Sequence, residues 1–496
     1  MRRILVTGAS GYIGGRLVPR LLEKGYAVRC LARDPRKVGG RGWESDRLEV
    51  VVGDALDRGS LVSAMAGCEA AYYLVHAMGG GEHGFEERDR QAAANFASAA
   101  AEAGLERIIY LGGLGKRSDS LSAHLSSRHE VGDVLRAGSV PVTELRAAMI
   151  IGAGSASFEM MRALVMKLPV MICPKWVKTR SQPIAIDDVL AYLVGCLEQP
   201  ATIGKVFDVG GPDVLTYRDM MLRFAAVEGL KRYIIDVPVL TPRLSAYWVN
   251  LMTPVPAGIA FPLIEGLKAE TVCENDHIRD IIPLELTGFD RAVRLALNHT
   301  KSNEVATRWT NAGGVAFSAR RRFDPADFSI HDRQRAAARV PASVLFDGVR
   351  RIGGQVGWYY ANSLWRIRGE MDRMIGGVGL RRGRRDPSAV FIGEAIDFWR
   401  VSDFEPGRRL LLHAEMKVPG DAYLEFMVEP VDDGNSELIQ TAYFQPTPFW
   451  GHLYWYLLYP VHWFIFRGMA RRIARAAERA GAKRQHAEPA TLGRPG

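Results

Sequence analysis

The stretch Ile4-Leu-Val-Thr-Gly-Ala-Ser-Gly-Tyr-Ile-Gly-Gly15 decides the fold of the first half of the chain: a hydrophobic strand runs into a glycine turn and then a helix start. Gly8 lets the chain leave the strand sharply, and Gly11 removes the side chain that would block a pyrophosphate. Gly14 lets the helix pack closely on the strand. A diphosphate then meets the N–H groups of the helix N-terminus, where the dipole favours an anion. Glycine turns also serve connections with no ligand. Here Leu17, Val18, Leu21 and Leu22 continue an apolar helical face and Ala27-Val-Arg-Cys-Leu-Ala32 follows as a second strand, so the reading is a dinucleotide pocket.

A pocket for NAD places a carboxylate after the second strand to hold the ribose 2′-hydroxyl, whereas a 2′-phosphate needs a cation there. The chain offers Arg33 first and then Asp34, and Arg16, one turn into the first helix, adds a second guanidinium. Planar guanidinium forks suit phosphate oxygens, so NADP(H) is favoured over NAD(H). The competing reading makes Arg33 a solvated turn residue. A third strand, Leu48-Glu-Val-Val-Val-Gly-Asp54, ends at Asp54, which is placed to meet an adenine amine or, alternatively, to cap the next helix. The expected cofactor contacts are Gly8, Ser10, Gly11, Tyr12, Ile13, Gly14, Arg16, Arg33, Asp54, Ala55, Leu74, His76 and Leu111.

Together these residues resemble the short-chain dehydrogenase/reductase superfamily, in the extended and atypical branches that include NmrA-like proteins, over about the first 300 residues. Ala70-Ala-Tyr-Tyr-Leu-Val-His76 as a fourth strand and Arg107-Ile-Ile-Tyr-Leu-Gly-Gly113 as a fifth carry the resemblance further. So do Pro183-Ile-Ala-Ile-Asp-Asp-Val189, Val206-Phe-Asp-Val-Gly-Gly211 and the capping-box signature Thr216-Tyr-Arg-Asp219. The resemblance implies an α/β fold, a doubly wound parallel Rossmann sheet with a small substrate subdomain. It also implies hydride transfer to a carbonyl or enone.

In most of that superfamily a serine follows the fifth strand, and a tyrosine four residues before a lysine donates the proton. This chain departs from both: Gly112 and Gly113 stand where the serine is expected, and the corresponding helix reads His124-Leu-Ser-Ser-Arg128. Positions four apart share one helical face, so His124 and Arg128 are the candidate catalytic pair. Histidine titrates near neutrality and a nearby guanidinium pushes it lower, so His124 can act as acid or base. Arg128 can hold ribose hydroxyls as the family lysine does, but its own proton is unavailable. The alternative is that both residues hold cofactor in a site that no longer turns over. Tyr72, Tyr73, His76 and Tyr110 are other polar groups near the strand ends, and most of them are read as packing.

The chain has 496 residues, too many for one core, and 48% hydrophobic with 24% charged residues is ordinary for a globular protein. Its net charge of +9 looks like a nucleic-acid signal until it is located: from Arg467 to the end there are eight Lys or Arg against two Glu. The basic character therefore belongs to the C-terminal end, and with no zinc spacing or nucleic-acid motif beside it no specific nucleic-acid partner is expected. Cys30, Cys68, Cys173, Cys196 and Cys273 are scattered and read as reduced, with no metal site. The strand begins at once, without a signal peptide, so the expected location is cytoplasmic.

Residues 1–300 are thus the expected NAD(P)-binding domain, 301–326 a linker, 327–482 a second domain and 483–496 a basic flexible tail. In the second domain Val340-Pro-Ala-Ser-Val-Leu begins a helix, and strand candidates follow at Val390–Val401, Arg409–Met416, Ala422–Val428 and Glu437–Phe444. This order resembles the SRPBCC, or START-like, superfamily. The resemblance implies an α+β antiparallel helix-grip domain with a pocket for a lipophilic small molecule, lined by Trp365, Phe398, Trp399, Leu412, Phe426 and Tyr443. The competing reading is that these aromatics fill the core.

The run from Phe449 to Phe466 has no Asp, Glu, Lys or Arg and is followed by Arg467, Arg471, Arg475 and Arg479. It is short for a span and carries Pro460, His452 and His462, so a buried helix is favoured. Peripheral membrane association through the basic helix remains open. The functional expectation is an NADP(H)-binding oxidoreductase acting on a lipophilic ligand. Its rivals are a non-catalytic NADP(H) sensor or assembly factor, and a peripheral lipid-binding protein with a regulatory nucleotide site.

Overall fold

The computed structural model describes residues 2–39, 41–43, 45–76, 85–116, 121–237, 252–253, 255, 257–302, 305–312, 323–354, 356–382, 384, 386 and 389–487. The chain forms two compact units, Met1–Arg320 and Arg321–Gly496.

In the first unit seven parallel strands form one sheet: β1 (Arg3–Thr7), β2 (Ala27–Ala32), β3 (Leu48–Val52), β4 (Ala70–Tyr73), β5 (Arg107–Gly113), β6 (Val142–Ala147) and β7 (Val206–Val209). Their order is β7-β6-β5-β4-β1-β2-β3, so the chain moves outward from β1 to β3 and then crosses back to β4. That reversal leaves a crevice at the C-terminal ends of β1 and β4, where open α/β sheets bind ligands. Ile4 and Val6 face one core cluster and Leu5 the other. Burial on both faces is why these strands read as continuous apolar runs. The connecting helices include α1 (Gly14–Glu23), α2 (Arg58–Met65), α3 (Phe85–Glu102), α4 (Ala123–Arg136) and α5 (Ile186–Glu198). A smaller core around Phe158, Phe224 and Val293 gathers the later helices, and Thr216 with Asp219 forms the expected capping box.

Part of the expected linker 301–326 is built into this unit. Val305 and Thr307 are buried; the Thr307 hydroxyl donates to the Tyr12 carbonyl (2.8 Å) and accepts from Arg16 Nε (3.0 Å). Single long-range contacts of this kind leave no periodicity in the sequence. Residues 313–322 of that segment and 488–496 of the expected tail lie outside the described residues.

The second unit is an antiparallel sheet with flanking helices. Its elements are β8 (Ile330–Ala338), α6 (Ala342–Val349), α7 (Asn362–Met374), β9 (Ala395–Ile396), β10 (Trp399–Glu405), β11 (Arg409–Ala414), β12 (Gly420–Pro430), β13 (Ser436–Pro446) and α8 (Trp450–Ala487). The strand order is β8-β13-β12-β11-β10-β9. Strand β8 lacks a readable apolar alternation because it is an edge strand carrying Asp332, Arg333 and Arg335, with Ile330 and the small Ala336 and Ala338 against the core. The expected strand Val390–Val401 is instead broken by a tight turn in which Asp397 takes φ +53°.

The Asp397 carboxylate accepts from Trp358 Nε1 at 3.0 Å and from the Gly354 N–H at 3.3 Å. Asp397→Ala leaves these donors without that partner and is expected to cost about 1–3 kcal/mol of stability. Asp397→Asn keeps an acceptor and tolerates the left-handed backbone, so it should cost much less; denaturant unfolding followed by tryptophan fluorescence distinguishes the two.

Of the residues expected to line an apolar pocket, Trp365, Phe398, Trp399, Leu412 and Phe426 share one core cluster. Trp358 stacks on Phe398 (6.0 Å) and lies 5.2 Å from Trp365. Tyr443 corrects the expectation. It faces the other side of the sheet with Phe328 and Tyr423, and its hydroxyl donates to Glu425 at 2.8 Å. The strand period of two puts it opposite its core-facing neighbours Ala442 and Phe444.

Candidate functional site

The glycine turn follows β1 directly. Gly8 has φ +73°, and a Cβ there would lie 2.5 Å from the Leu74 carbonyl oxygen, so the turn and the end of β4 touch through backbone. A Cβ on Gly14 would lie 2.4 Å from the Gly8 oxygen, which fixes how tightly α1 starts against the turn. At Gly11 the nearest atom would be the Gly8 oxygen at 3.1 Å, and among the described residues, its chain neighbours aside, no other atom comes within 4 Å of that position. Helix α1 has no side-chain cap at Ile13 and no acidic residue in its first turn. The Gly11, Gly15 and Arg16 N–H groups bond to the Gly8, Gly11 and Ile13 carbonyls, so what α1 offers an anion is the positive end of its dipole with no acidic side chain against it, and these features fit a dinucleotide diphosphate.

Around this turn the charged residues divide. Arg16 is committed to structure, since Nη2 donates to the Ala153 carbonyl (2.8 Å), Nε to Thr307, and the guanidinium lies 4.9 Å from the Tyr12 ring centroid. Arg33 is exposed at the end of β2. Asp34 caps a short 3-10 turn and is gripped by Arg36 through two bonds of 3.0 Å. Burial alone would raise the Asp34 pKa, but the Arg36 hydrogen bonds and charge hold it below the usual carboxylate value. Arg41, which sequence reading passed over, donates to the Ser10 carbonyl at 2.9 Å and to the Lys37 carbonyl at 2.9 Å.

Further along, Asp54 accepts from the Leu56 N–H at 3.1 Å, while the cap of α2 is Asp57. Ala55 and Leu111 are buried, and Leu74 and His76 follow β4 at the sheet edge. Tyr12 turns inward: its hydroxyl would meet a Cβ on Gly152 at 2.4 Å, and burial drives its pKa upward.

Helix α4, capped by Ser122, carries His124 and Arg128 one turn apart. Arg128 donates to the Leu111 carbonyl and lies 5.1 Å from the Tyr110 ring centroid, while the Tyr110 hydroxyl donates to the Arg128 carbonyl at 2.8 Å. His124 Nδ1 is 3.1 Å from His76 Nε2, and His76 Nδ1 is 2.9 Å from Asp89 Oδ2. The Ser127 hydroxyl lies 3.5 Å from the same Asp89 oxygen. The result is a part-buried chain from carboxylate to imidazole to imidazole, reaching from α3 across the end of β4 to α4.

Burial lowers the His124 pKa well below the usual imidazole value, and the His76 and Arg128 charges act in the same direction. Burial also lowers that of His76, opposed by its bond to Asp89. Asp89 escaped sequence reading because it sits in the charged run Glu86-Glu-Arg-Asp-Arg90, which looks like a solvated helix face.

The two glycines that stand in place of the serine are closely packed. A Cβ on Gly113 would lie 2.9 Å from the Leu125 side chain, and one on Gly112 would lie 3.0 Å from the carboxylate of buried Glu144. Tyr72 and Tyr73 are fully buried, with the Tyr72 hydroxyl donating to the Leu193 carbonyl at 2.8 Å. All five cysteines are free, and burial pushes the Cys30 and Cys196 thiols up to about 12.

Residues 8–153 match the family described as "NAD(P)H-binding", and residues 325–469 match "Protein of unknown function (DUF2867)". The chain is similar to the mitochondrial NADH dehydrogenase [ubiquinone] 1 alpha subcomplex subunit 9 of Arabidopsis thaliana, 24% identical over 306 residues, 57% of this chain and 75% of that protein. It is also similar to a ceramide reductase of Caulobacter vibrioides, 28% identical over 237 residues, covering 47% and 73%. Among solved structures, Citrobacter sp. triphenylmethane reductase complexed with NADP(H) is 21% identical with a TM-score of 0.47, covering 59% of this chain and 99% of that one. The chain joins an N-terminal NAD(P)-binding Rossmann domain to a distinct C-terminal domain.

Proposed function

We propose that the first unit is an NADP(H)-dependent reductase of a lipophilic carbonyl or enone, an atypical short-chain dehydrogenase/reductase in which His124 replaces tyrosine as the proton carrier. The observation that carries this reading is the Asp89–His76–His124 chain at the sheet edge beside the glycine turn. With Asp89 ionised, His76 donates from Nδ1 and accepts at Nε2 from His124 Nδ1. His124 Nε2 is left to exchange a proton with substrate. With cofactor bound the hydride goes to the carbonyl or enone carbon. His124 supplies the proton to the product oxygen or carbanion, and takes it back in alcohol oxidation.

Likeness to a ceramide reductase supports a lipophilic substrate, and the strand, helix, meander and terminal-helix order of the second unit supports its likeness to the SRPBCC superfamily. The rival, a non-catalytic NADP(H) sensor or assembly factor, draws on the likeness to a subunit of NADH dehydrogenase. NADPH oxidation measured with long-chain aldehydes, ketones, quinones and enones decides between them; no turnover across the panel favours the rival.

Preference for NADP(H) rests on Arg33, because Asp34, the carboxylate that would hold a ribose 2′-hydroxyl, is taken up by Arg36. Arg33→Ala should weaken NADPH binding by about 1.5–3 kcal/mol, the loss of one charge-assisted contact, and leave NADH nearly unaffected. Fluorescence titration reads both, and equal wild-type affinities for the two cofactors would sink the assignment.

A further inference from the structure

Helix α8 buries only one stripe. Gly451, Trp455, Phe466, Met469, Ile473 and Ala477 turn inward to the core of the second unit. In the half that has no charged residue, the remaining faces stand in solvent: Trp450 is 67% exposed, Tyr456 66%, Leu457 73% and Phe464 51%. Helix α7 adds Ile367, Met371 and Met374 on its own exposed side. The two helices adjoin, since Tyr360, just ahead of α7, packs 5.2 Å from Phe464, and Arg368 of α7 lies near His462. Burial first, and that guanidinium second, push the His462 imidazole down to about 4, so His462 is neutral at neutral pH. The charged groups of α7 are Arg366, Arg368, the buried Asp372 and the Arg373–Glu370 pair.

At Arg467 the character of α8 changes within one turn. Its guanidinium lies 4.9 Å from the Trp463 ring centroid. Arg471, Arg475 and Arg479 follow at four-residue spacing, continuing the line of Tyr459 and Trp463, and all three are exposed. A contiguous exposed patch of large apolar residues marks a binding surface. Aromatic and aliphatic side chains that grade into an arginine row match a bilayer interface, apolar beneath the headgroups and anionic at them. Among the described residues no helix is long and apolar enough to cross a membrane.

We propose that exposed Phe449 and the exposed face of α8 from Trp450 to Phe464, together with the outer side of α7, dock onto an anionic phospholipid bilayer. The apolar turns lie under the headgroups, and Arg467, Arg471, Arg475 and Arg479 sit on lipid phosphates. This surface is independent of the reductase reading and is tested without cofactor or substrate.

The full chain is floated with vesicles of phosphatidylcholine alone or mixed with phosphatidylglycerol, at low and high salt. Binding to the mixed vesicles, weakened by salt and accompanied by a blue shift of tryptophan emission, is the expected result. Leu457→Glu with Trp463→Glu should cut the partition by about tenfold or more, because two apolar anchors become charged. Arg471→Glu with Arg475→Glu should abolish the preference for phosphatidylglycerol. All four side chains are exposed, so circular dichroism should be unchanged in both variants. Failure to float with anionic vesicles overturns the proposal. So does a dimer in sedimentation velocity that Leu457→Glu disperses while vesicle binding persists, which would assign the face to self-association.

Discussion

Replacing His124 with alanine is expected to slow substrate-dependent NADPH oxidation by about a hundredfold or more, the usual contribution of a positioned acid or base. Cofactor affinity should hardly change, because the glycine turn and Arg33 lie on other elements. Asp89→Asn is the companion variant. It keeps the shape but removes the charge that makes His76 donate from Nδ1, and should lower kcat by about tenfold or more, part of what the acid–base step supplies. The pH dependence has a definite sign. Burial and the His76 and Arg128 charges lower the His124 pKa, so the ring stays neutral through pH 6.5 and below. Alcohol oxidation, which uses the neutral ring as base, should then stay flat from alkaline pH down past 6.5 and fall only in more acid solution. Carbonyl reduction uses the protonated ring and should speed up as pH drops. A fall in cofactor affinity with an unchanged chemical rate in His124→Ala would instead mark His124 as a binding residue.

Gly14→Ala should remove most cofactor binding. The added methyl would sit 2.4 Å from the Gly8 oxygen, 2.8 Å from the Gly8 carbonyl carbon and 2.9 Å from the Ala9 Cα, and all three are backbone atoms. No rotamer change relieves such a contact. Either α1 moves off the turn or the turn opens, and overpacking of this kind costs about 1–3 kcal/mol. The displaced groups are the ones that would meet the diphosphate, so the loss should appear as NADPH affinity lowered by about tenfold or more in fluorescence titration. Gly11→Ala is the contrast, because among the described residues, its chain neighbours aside, its Cβ would meet only the Gly8 oxygen, at 3.1 Å. Protein stability should be nearly kept there, while the methyl intrudes where the pyrophosphate is read to lie. Equal affinity of both variants to wild type would place the dinucleotide elsewhere.

The sequence by itself determined the parallel sheet and its nucleotide edge, because both are written in local, periodic signals. Strands buried on two faces are continuous apolar runs, a glycine at a left-handed turn admits few substitutes, and the helical face of Leu17, Val18, Leu21 and Leu22 repeats every turn. The same logic located His124 and Arg128 on one helix. Only the tertiary structure decided what depends on residues far apart in the chain. Asp89 becomes the partner of His76 only when α3 packs beside the end of β4. Arg16 passes from cofactor candidate to clamp because Thr307, distant in sequence, comes to meet it. Tyr443 faces away from the core by the parity of a strand whose register is set by its neighbours β8 and β12. Likewise, the charge-free run 449–466 could be read as buried, spanning or interfacial until the sheet took up one stripe and left the rest exposed. Side-chain pairing across the fold obeys distance in space, and a linear pattern records only distance along the chain.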